Sequence, residues 1–253
     1  MATILALHAH PDDIEMLGSG ALALLAGAGH AVHIATATAG ELGSTEHAPS
    51  DLAAIRRREA ATAAAMIGAS YTCAGLPDLG VFNDDAARRR ITDLIREAKP
   101  DVVMTASPAD YHPDHEAISL LARDACFASS VPSYASASPL QAIPHLYFMD
   151  PIGGRDREGV RVKPEFGVDV GQVMETKRRM LLAHESQFAW VARQHGVNDY
   201  LGAMEAWIGR RGRDFGVEHA EGFRQYRHQP YPRSGLLQEL LGGAVVPLKA
   251  WPG

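Results

Sequence analysis

Six side chains in two short stretches are the first candidates for chemistry. His10, Asp12 and Asp13 lie in Ala9-His10-Pro11-Asp12-Asp13, and His112, Asp114 and His115 lie in Tyr111-His112-Pro113-Asp114-His115. Each stretch directly follows an apolar, strand-like run. Three carboxylates and three imidazoles at two strand ends are costly to place unless they hold something. Divalent zinc is the natural guest, since imidazole nitrogen and carboxylate oxygen are its standard ligands and a catalytic zinc keeps three protein ligands and one open position. His10 and Asp13 are three apart, and His115 supplies a third ligand. Asp12, next to a ligand, is then placed to take a proton from the metal's water, whose pKa zinc lowers to roughly 7. His112, as an imidazolium, is suited to stabilise an oxyanion or to protonate a leaving amine. The parts add up to hydrolysis of an amide or ester through a tetrahedral intermediate.

Read singly, a His-Pro-Asp run is also an ordinary turn, with Pro fixing φ and Asp bonding locally. Two such runs after two apolar strands favour the metal. Asp114, between two histidines, either orients one of them or serves the turn alone. Glu15 either orients a ligand from behind or is an exposed loop acid. His8 alternates with His10 and is expected on the other face of its strand as a core histidine.

The elements that must position these groups follow from periodicity. Ile4 to His8 reads as a buried parallel strand, residues 11–20 as a loop, and Ala21 to Ala28 as a helix. A second strand spans Val32 to Thr38, a helix Asp51 to Ile67 with Gly68 at its stop, and a third strand Tyr71 to Leu76. A helix over Ala86 to Ala98 ends before Pro100, a fourth strand spans Asp101 to Ala106, and a helix spans Glu116 to Ala128. This alternation predicts a parallel sheet with right-handed crossovers. Ligands bind beyond the carboxyl ends of such strands, so both clusters are expected on one edge of the sheet. Further on, Ile143 to Met149 reads as a strand, and Val170 to Ala183 and residues 198–213 as helices. No repeat or boundary divides residues 1–253, which are expected to form a single α/β domain with a C-terminal elaboration.

A chain of 253 residues that is 46% hydrophobic and 21% charged can bury a sizeable core without staples. The net charge of −6 gives no reason to expect nucleic acid or an anionic membrane as partner. Cys73 and Cys126 belong to no Cys-x-x-Cys pair and are expected as reduced core residues, which suits a cytoplasmic protein. No apolar run approaches the ~20 residues that span a bilayer. Leu236, Leu237, Leu240 and Leu241 suit a helix face that packs either on another subunit or on the chain's own core.

The chain resembles the PIG-L/LmbE-like family of zinc-dependent N-acetylglucosamine deacetylases. The resemblance rests on Ala9-His10-Pro11-Asp12-Asp13, Thr38-Ala39-Gly40-Glu41-Leu42-Gly43, Ile55-Arg56-Arg57-Arg58-Glu59, Leu76-Pro77-Asp78 and His112-Pro113-Asp114-His115. Glu185-Ser186-Gln187-Phe188 and the run from Phe215 to Phe223 look most like the bacillithiol-biosynthesis branch, which removes acetyl from a glucosaminyl-malate. The resemblance implies a Rossmann-like, mostly parallel sheet flanked by helices. It implies zinc (Zn2+, with Fe2+ able to use the same ligands) on His10, Asp13 and His115, Asp12 as base, His112 as electrostatic partner, and Arg56 as a sugar-binding residue. It also implies a homo-oligomer, often a hexamer. Tyr200 is expected to reach over the site and donate to the substrate carbonyl, and Glu59, three residues after Arg56, either holds it in place or forms an ordinary surface ion pair. Two competing functions remain: a hydratase acting on a small dicarboxylate with the same metal scaffold, and a non-catalytic metal- or sugar-binding protein. Binding alone does not require Asp12.

Overall fold

The computed structural model describes residues 1–196, 199–249 and 251. Its centre is β1 (Thr3–His8), whose residues Ile4 to His8 are buried on both faces, as the apolar run predicts. The chain continues through α1 (Asp13–Leu17) and α2 (Ser19–Gly27) into β2 (Ala31–Thr36), then α3 (Pro49–Ala65), β3 (Ser70–Cys73), α4 (Asp85–Ala98), β4 (Val102–Thr105), α5 (Pro113–Ala128) and β5 (His145–Met149). These five strands are parallel in the order β3-β2-β1-β4-β5. The order reverses between β1 and β4, where a crevice opens beyond their carboxyl ends. Leu7 pairs with Thr105 across these two strands. Both histidine clusters therefore leave the sheet side by side, although they are far apart in sequence.

Strand alternation splits the core. Ile4 and Ala6 pack with Leu22 and Leu25 of α2 on one face, and Leu5 and Leu7 with Ile91 and Ile95 of α4 and Ile118 and Leu121 of α5 on the other. Each such buried aliphatic side chain stabilises the fold by about 1.5–3 kcal/mol. The sheet thus fixes the two loops from both sides.

Three regions differ from the sequence expectation. Residues 11–20 are not a loop. Asp12, with φ 97°, starts α1, and Gly18 separates α1 from α2. The Gly-rich spacing marks a break between two short helices. The helix expected from Glu116 begins earlier, with Pro113 at its first position, so His115 rides on the first turn of α5. The C-terminal part adds β6 (Phe166–Asp169), α6 (Met174–Leu182), α7 (Glu185–His195), α8 (Tyr200–Phe215), β7 (Ala220–Tyr226), α9 (Leu236–Leu241) and β8 (Val245–Pro247). The helix expected over residues 198–213 begins at Tyr200, and residue 198 lies outside the described residues. Strand β7 inserts antiparallel between β5 and β6, and β8 closes that edge. Its glycine and charges, Ala-Glu-Gly-Phe-Arg-Gln-Tyr, conceal it from periodicity. Leu237 and Leu241 of α9 are buried in the chain's own core, with Leu236 and Leu240 packed against it. Cys126 is buried, Cys73 is half-buried, and both are free thiols. No helix among the described residues is long and apolar enough to cross a membrane.

A buried ion pair ties this C-terminal part to the backbone of α1 and α2. Glu221 of β7 accepts hydrogen bonds from the Gly20 and Ala21 amides at the start of α2, both at 2.8 Å. Lys177 of α6 donates to Glu221 at 2.7 Å and to the Glu15 and Met16 carbonyls at 2.7 and 3.0 Å. The pair is completely enclosed. Removing one partner strands a buried charge, at a cost of about 3–5 kcal/mol. Glu221→Ala is accordingly expected to lower the urea midpoint by that equivalent. An unchanged midpoint would mean that the pair contributes no net stability.

Candidate metal centre and active-site cavity

Asp13 is the hub of the site. It is the first residue of α1 and is buried. Its Oδ2 accepts a hydrogen bond from the His10 amide at 2.8 Å and lies 2.7 Å from His8 Nδ1. His8 is therefore not turned away from the cluster, as strand alternation predicts. It closes the floor of the site by meeting Asp13, and its ring packs edge-on against that of His115 at 4.7 Å.

His10, Asp13 and His115 bring two imidazole nitrogens together with the two oxygens of one carboxylate, Oδ1 toward His115 and Oδ2 toward His10. His10 Nδ1 lies 3.3 Å from His115 Nε2, His115 Nε2 lies 3.3 Å from Asp13 Oδ1, and His10 Nδ1 lies 3.3 Å from Asp13 Oδ2. A tetrahedral ion with ligands at about 2.0–2.1 Å has donor–donor edges about 1.63 times longer, roughly 3.3–3.4 Å. The donor set thus fits a zinc-sized ion. Donor groups that overlap this triangle, His10 with His112 and His115, His8 with Asp13 and His115, and His10 with Asp78 and Asp114, also lie close enough to share a cation.

Carboxylates back both imidazoles. His115 Nδ1 lies 3.1 Å from Asp110, and His10 Nε2 lies 3.2 Å from Asp78 and 3.3 Å from Asp114. Metal-ligating histidines typically direct their second nitrogen at such a carboxylate. Asp114 also accepts from the Leu79 amide at 2.8 Å, which pins the loop carrying Asp78 against His10. Sequence reasoning gives Asp78 and Asp110 no role at the site, although Asp78 stands just past the third strand and Asp110 two residues before His112.

The titration of the site follows from these contacts. Burial alone would raise the Asp13 carboxyl, but His115, His8 and His10 hold it well below the usual carboxylate range. Burial works against the charged form of His115, and Asp13 and Asp110 more than reverse this, raising it to about 9. His10 is raised in the same way, its burial outweighed by Asp114, Asp13 and Asp78. His112 moves oppositely, down to about 4, through burial and the neighbouring His115 and His10. It is therefore a neutral imidazole at neutral pH, not the imidazolium expected from the sequence. Its Nδ1 accepts from the Asp114 amide at 3.2 Å, which leaves the proton on Nε2.

Asp12 has a left-handed backbone, a conformation that costs a non-glycine residue about 1–3 kcal/mol and clusters at functional sites. Its Oδ2 accepts from Tyr200 Oη at 2.9 Å and from Gln187 Nε2 at 3.0 Å. Burial raises its pKa, with Arg56 opposing. Tyr200 thus reaches the site, with its hydroxyl proton given to Asp12. Arg56 is buried, and it donates to the Gly40 carbonyl at 2.7 Å and the Pro11 carbonyl at 2.9 Å. It lies 3.7 Å from Asp12 Oδ1, so its fork braces the two loops that flank the site. Glu59 does not hold it; Glu59 accepts from the Ser186 amide and hydroxyl at the start of α7. Glu15 is buried, and its carboxylate lies 3.4 Å from His184, not against a member of the donor triangle.

His10, Asp12, Asp13, Arg56, Asp78, His112, His115 and Tyr200 line a cavity of about 640 Å³. Asp12, Asp13, His10, His112 and His115 form one end. Leu42, Leu79, Ile152, Trp190 and Trp207 give the remaining walls an apolar character. Gln187, Trp190 and Trp207 come from the C-terminal helices; Gln187 lies in the Glu185-Ser186-Gln187-Phe188 stretch, which gave it no role, and no motif marks the two tryptophans.

The sequence profile of the PIG-L family, described as GlcNAc-PI de-N-acetylase, matches residues 5–126, a span that contains both histidine clusters and Asp78. The N-terminal part of the chain, residues 5–126, thus carries the PIG-L family profile. Tyr200 and Gln187 lie beyond the matched span. The fold is shared by a conserved protein of Thermus thermophilus, with a TM-score of 0.73 and 26% identity over 92% of this chain and 100% of that one. Diacetylchitobiose deacetylase of Thermococcus kodakarensis is 27% identical over 237 residues, 87% of this chain and 82% of the relative. 4-Oxalmesaconate hydratase of Pseudomonas putida is 27% identical over 207 residues, 76% of this chain and 79% of the relative.

A cation entering the triangle must displace the protons that His10 and His115 hold because the surrounding carboxylates raise them. Zinc affinity is therefore expected to climb as pH rises toward 9, by about tenfold per pH unit for each proton released. Calorimetric titration in buffers of different ionisation enthalpy counts those protons. His115→Ala is expected to lose most of the bound metal with the fold intact. Full occupancy in that variant, or pH-independent affinity, would remove His115 from the donor set.

Proposed function

We propose that this protein is a metal-dependent amidohydrolase that cleaves the acetamide of an N-acetylglucosamine-type substrate, releasing acetate and the free amine. The observation that carries the reading is a triangle of donors, His10, Asp13 and His115, spaced for one small cation, beside a second buried carboxylate, Asp12, that faces the same cavity. Similarity to a diacetylchitobiose deacetylase supports it. Zinc suits these donors, and ferrous iron can use them too. The N-acetylglucosaminyl-malate of bacillithiol biosynthesis is the specific substrate that the C-terminal motifs suggest.

A cation held there would supply a Lewis acid that polarises the acetamide and acidifies the attacking water. Asp12 removes the proton from that water. Its buried, raised pKa makes it a stronger base than a solvated carboxylate, and the Tyr200 and Gln187 hydrogen bonds hold its Oδ2 in place. His112, fixed as the Nε2–H tautomer, donates to the oxyanion of the tetrahedral intermediate. Asp12 then returns its proton to the departing nitrogen.

A second reading, hydration of a small unsaturated dicarboxylate, draws on the equally similar hydratase of Pseudomonas putida. The two separate on product: acetate plus a primary amine, or a hydroxy diacid. Zinc-loaded protein is expected to release acetate and amine in equal amounts from N-acetylglucosaminides. Asp12→Asn is expected to keep the metal and lower kcat by roughly 10²–10⁴. No acetate from any N-acetylglucosaminide, with turnover of an unsaturated diacid, would favour the hydratase. Near-normal turnover in metal-replete Asp12→Asn would remove Asp12 as base.

A further inference from the structure

Beside the active-site cavity lies a second cleft of about 440 Å³. The two share Gly153, Trp207 and Arg210, so the cleft continues the cavity away from the donor triangle. Its walls carry four arginines, Arg155, Arg161, Arg210 and Arg213, against the single acid Asp214. That acid is already engaged: Arg211 Nη1 donates to it at 3.0 Å, and Arg161 lies 3.4 Å away. Among the described residues, no carboxylate pairs with Arg155, Arg210 or Arg213. This concentration of positive charge stands in a chain whose net charge is −6.

The floor of the cleft is built. Gly154 has a φ of +67°, and a Cβ there would meet the Trp207 ring at 2.1 Å, so only glycine lets the indole lie against this turn. The buried Arg211 guanidinium rests 4.7 Å from the centre of the same ring. Arg211 also donates to Asp150 at 2.5 Å and to the Val162 carbonyl at 3.0 Å, which fixes the layer beneath Trp207. The result is a rigid aromatic step between an apolar cavity and an arginine-lined recess.

We propose that this recess is an anion subsite, which takes a phosphate or carboxylate on the aglycone while the acetamide lies at the donor triangle. Arginine forks match either group in a bidentate geometry. The proposal rests on the deacetylase reading for the sugar but not for the anion. The substrate it describes has three parts in line: an N-acetylated sugar at the polar end, a linking portion over Trp207, and an anionic end among Arg155, Arg210 and Arg213.

The test separates the subsite from the reaction. Inorganic phosphate and malate are titrated calorimetrically into the zinc-loaded wild type and into the double variant Arg155→Ser/Arg213→Ser, whose altered side chains are exposed. In parallel, kcat/KM is measured for N-acetylglucosamine 1-phosphate, N-acetylglucosaminyl-malate and neutral methyl N-acetylglucosaminide. Saturable binding of at least one anion is expected, weakened about tenfold or more in the double variant. The ratio of kcat/KM for the anionic over the neutral substrate is expected to fall by a similar factor. The tighter of the two anions distinguishes a phosphate from a carboxylate aglycone. Arginine-dependent anion binding without acetate release from any sugar would sustain the subsite and overturn the deacetylase reading. Absent or arginine-independent anion binding would overturn the subsite whatever the acetate assay gives.

Discussion

The burial of the Asp13 carboxylate constrains everything around it. Taking a carboxylate out of water costs several kcal/mol unless charge and hydrogen bonds are returned to it. Here they come from the His10 amide, His8 and the two imidazoles of the donor triangle. His8 ends β1, His10 follows it, and His115 rides on α5 after the neighbouring β4. Parallel pairing of β1 with β4 is what lets these residues converge. A slip of one residue in that register would turn the side chains to the wrong faces.

The N-terminal part alone does not finish the site. Tyr200 and Gln187, which hold Asp12, and the tryptophans of the cavity wall come from α7 and α8. The neighbouring α6 and β7 are tied to the site by Lys177 and Glu221, which bind the α1–α2 backbone directly. The antiparallel β7 carries Glu221 into this position. The C-terminal elaboration therefore both shapes the cavity and holds the Asp12 carboxylate, while the Rossmann-like half supplies His10, Asp13 and His115.

The strand–helix rhythm of the first 128 residues is legible because β1 and β4 are apolar, β-branched runs and Gly or Pro punctuates the helices between strands. His10, Asp13 and His115 stood out because their residue types are improbable at apolar strand ends. Their supports were harder to see. Asp78 and Asp110 are single acids whose meaning depends on which imidazole they face. His8 follows strand alternation up to the last residue of β1, where the chain turns and brings Asp13 back to it. Glu221 looks like a surface acid until Lys177, from another element, pairs with it inside the core. Arg56 reads as a ligand-gripping fork in sequence; it lines the cavity, and the Gly40 and Pro11 carbonyls that take two of its donors and fix the fork are invisible to local pattern. For Asp78, Glu221 and Arg56 the deciding partner is distant in sequence, and for His8 and Asp110 it is five residues away but across a turn that strand or helix periodicity does not describe.

X-ray absorption at the zinc edge of the reconstituted protein tests the central claim most directly, because it reads the donor atoms themselves. The account predicts stoichiometric uptake and a shell of nitrogen and oxygen at about 2.0–2.1 Å, with multiple scattering from imidazole rings. Substoichiometric uptake, or a shell without imidazole, would contradict it.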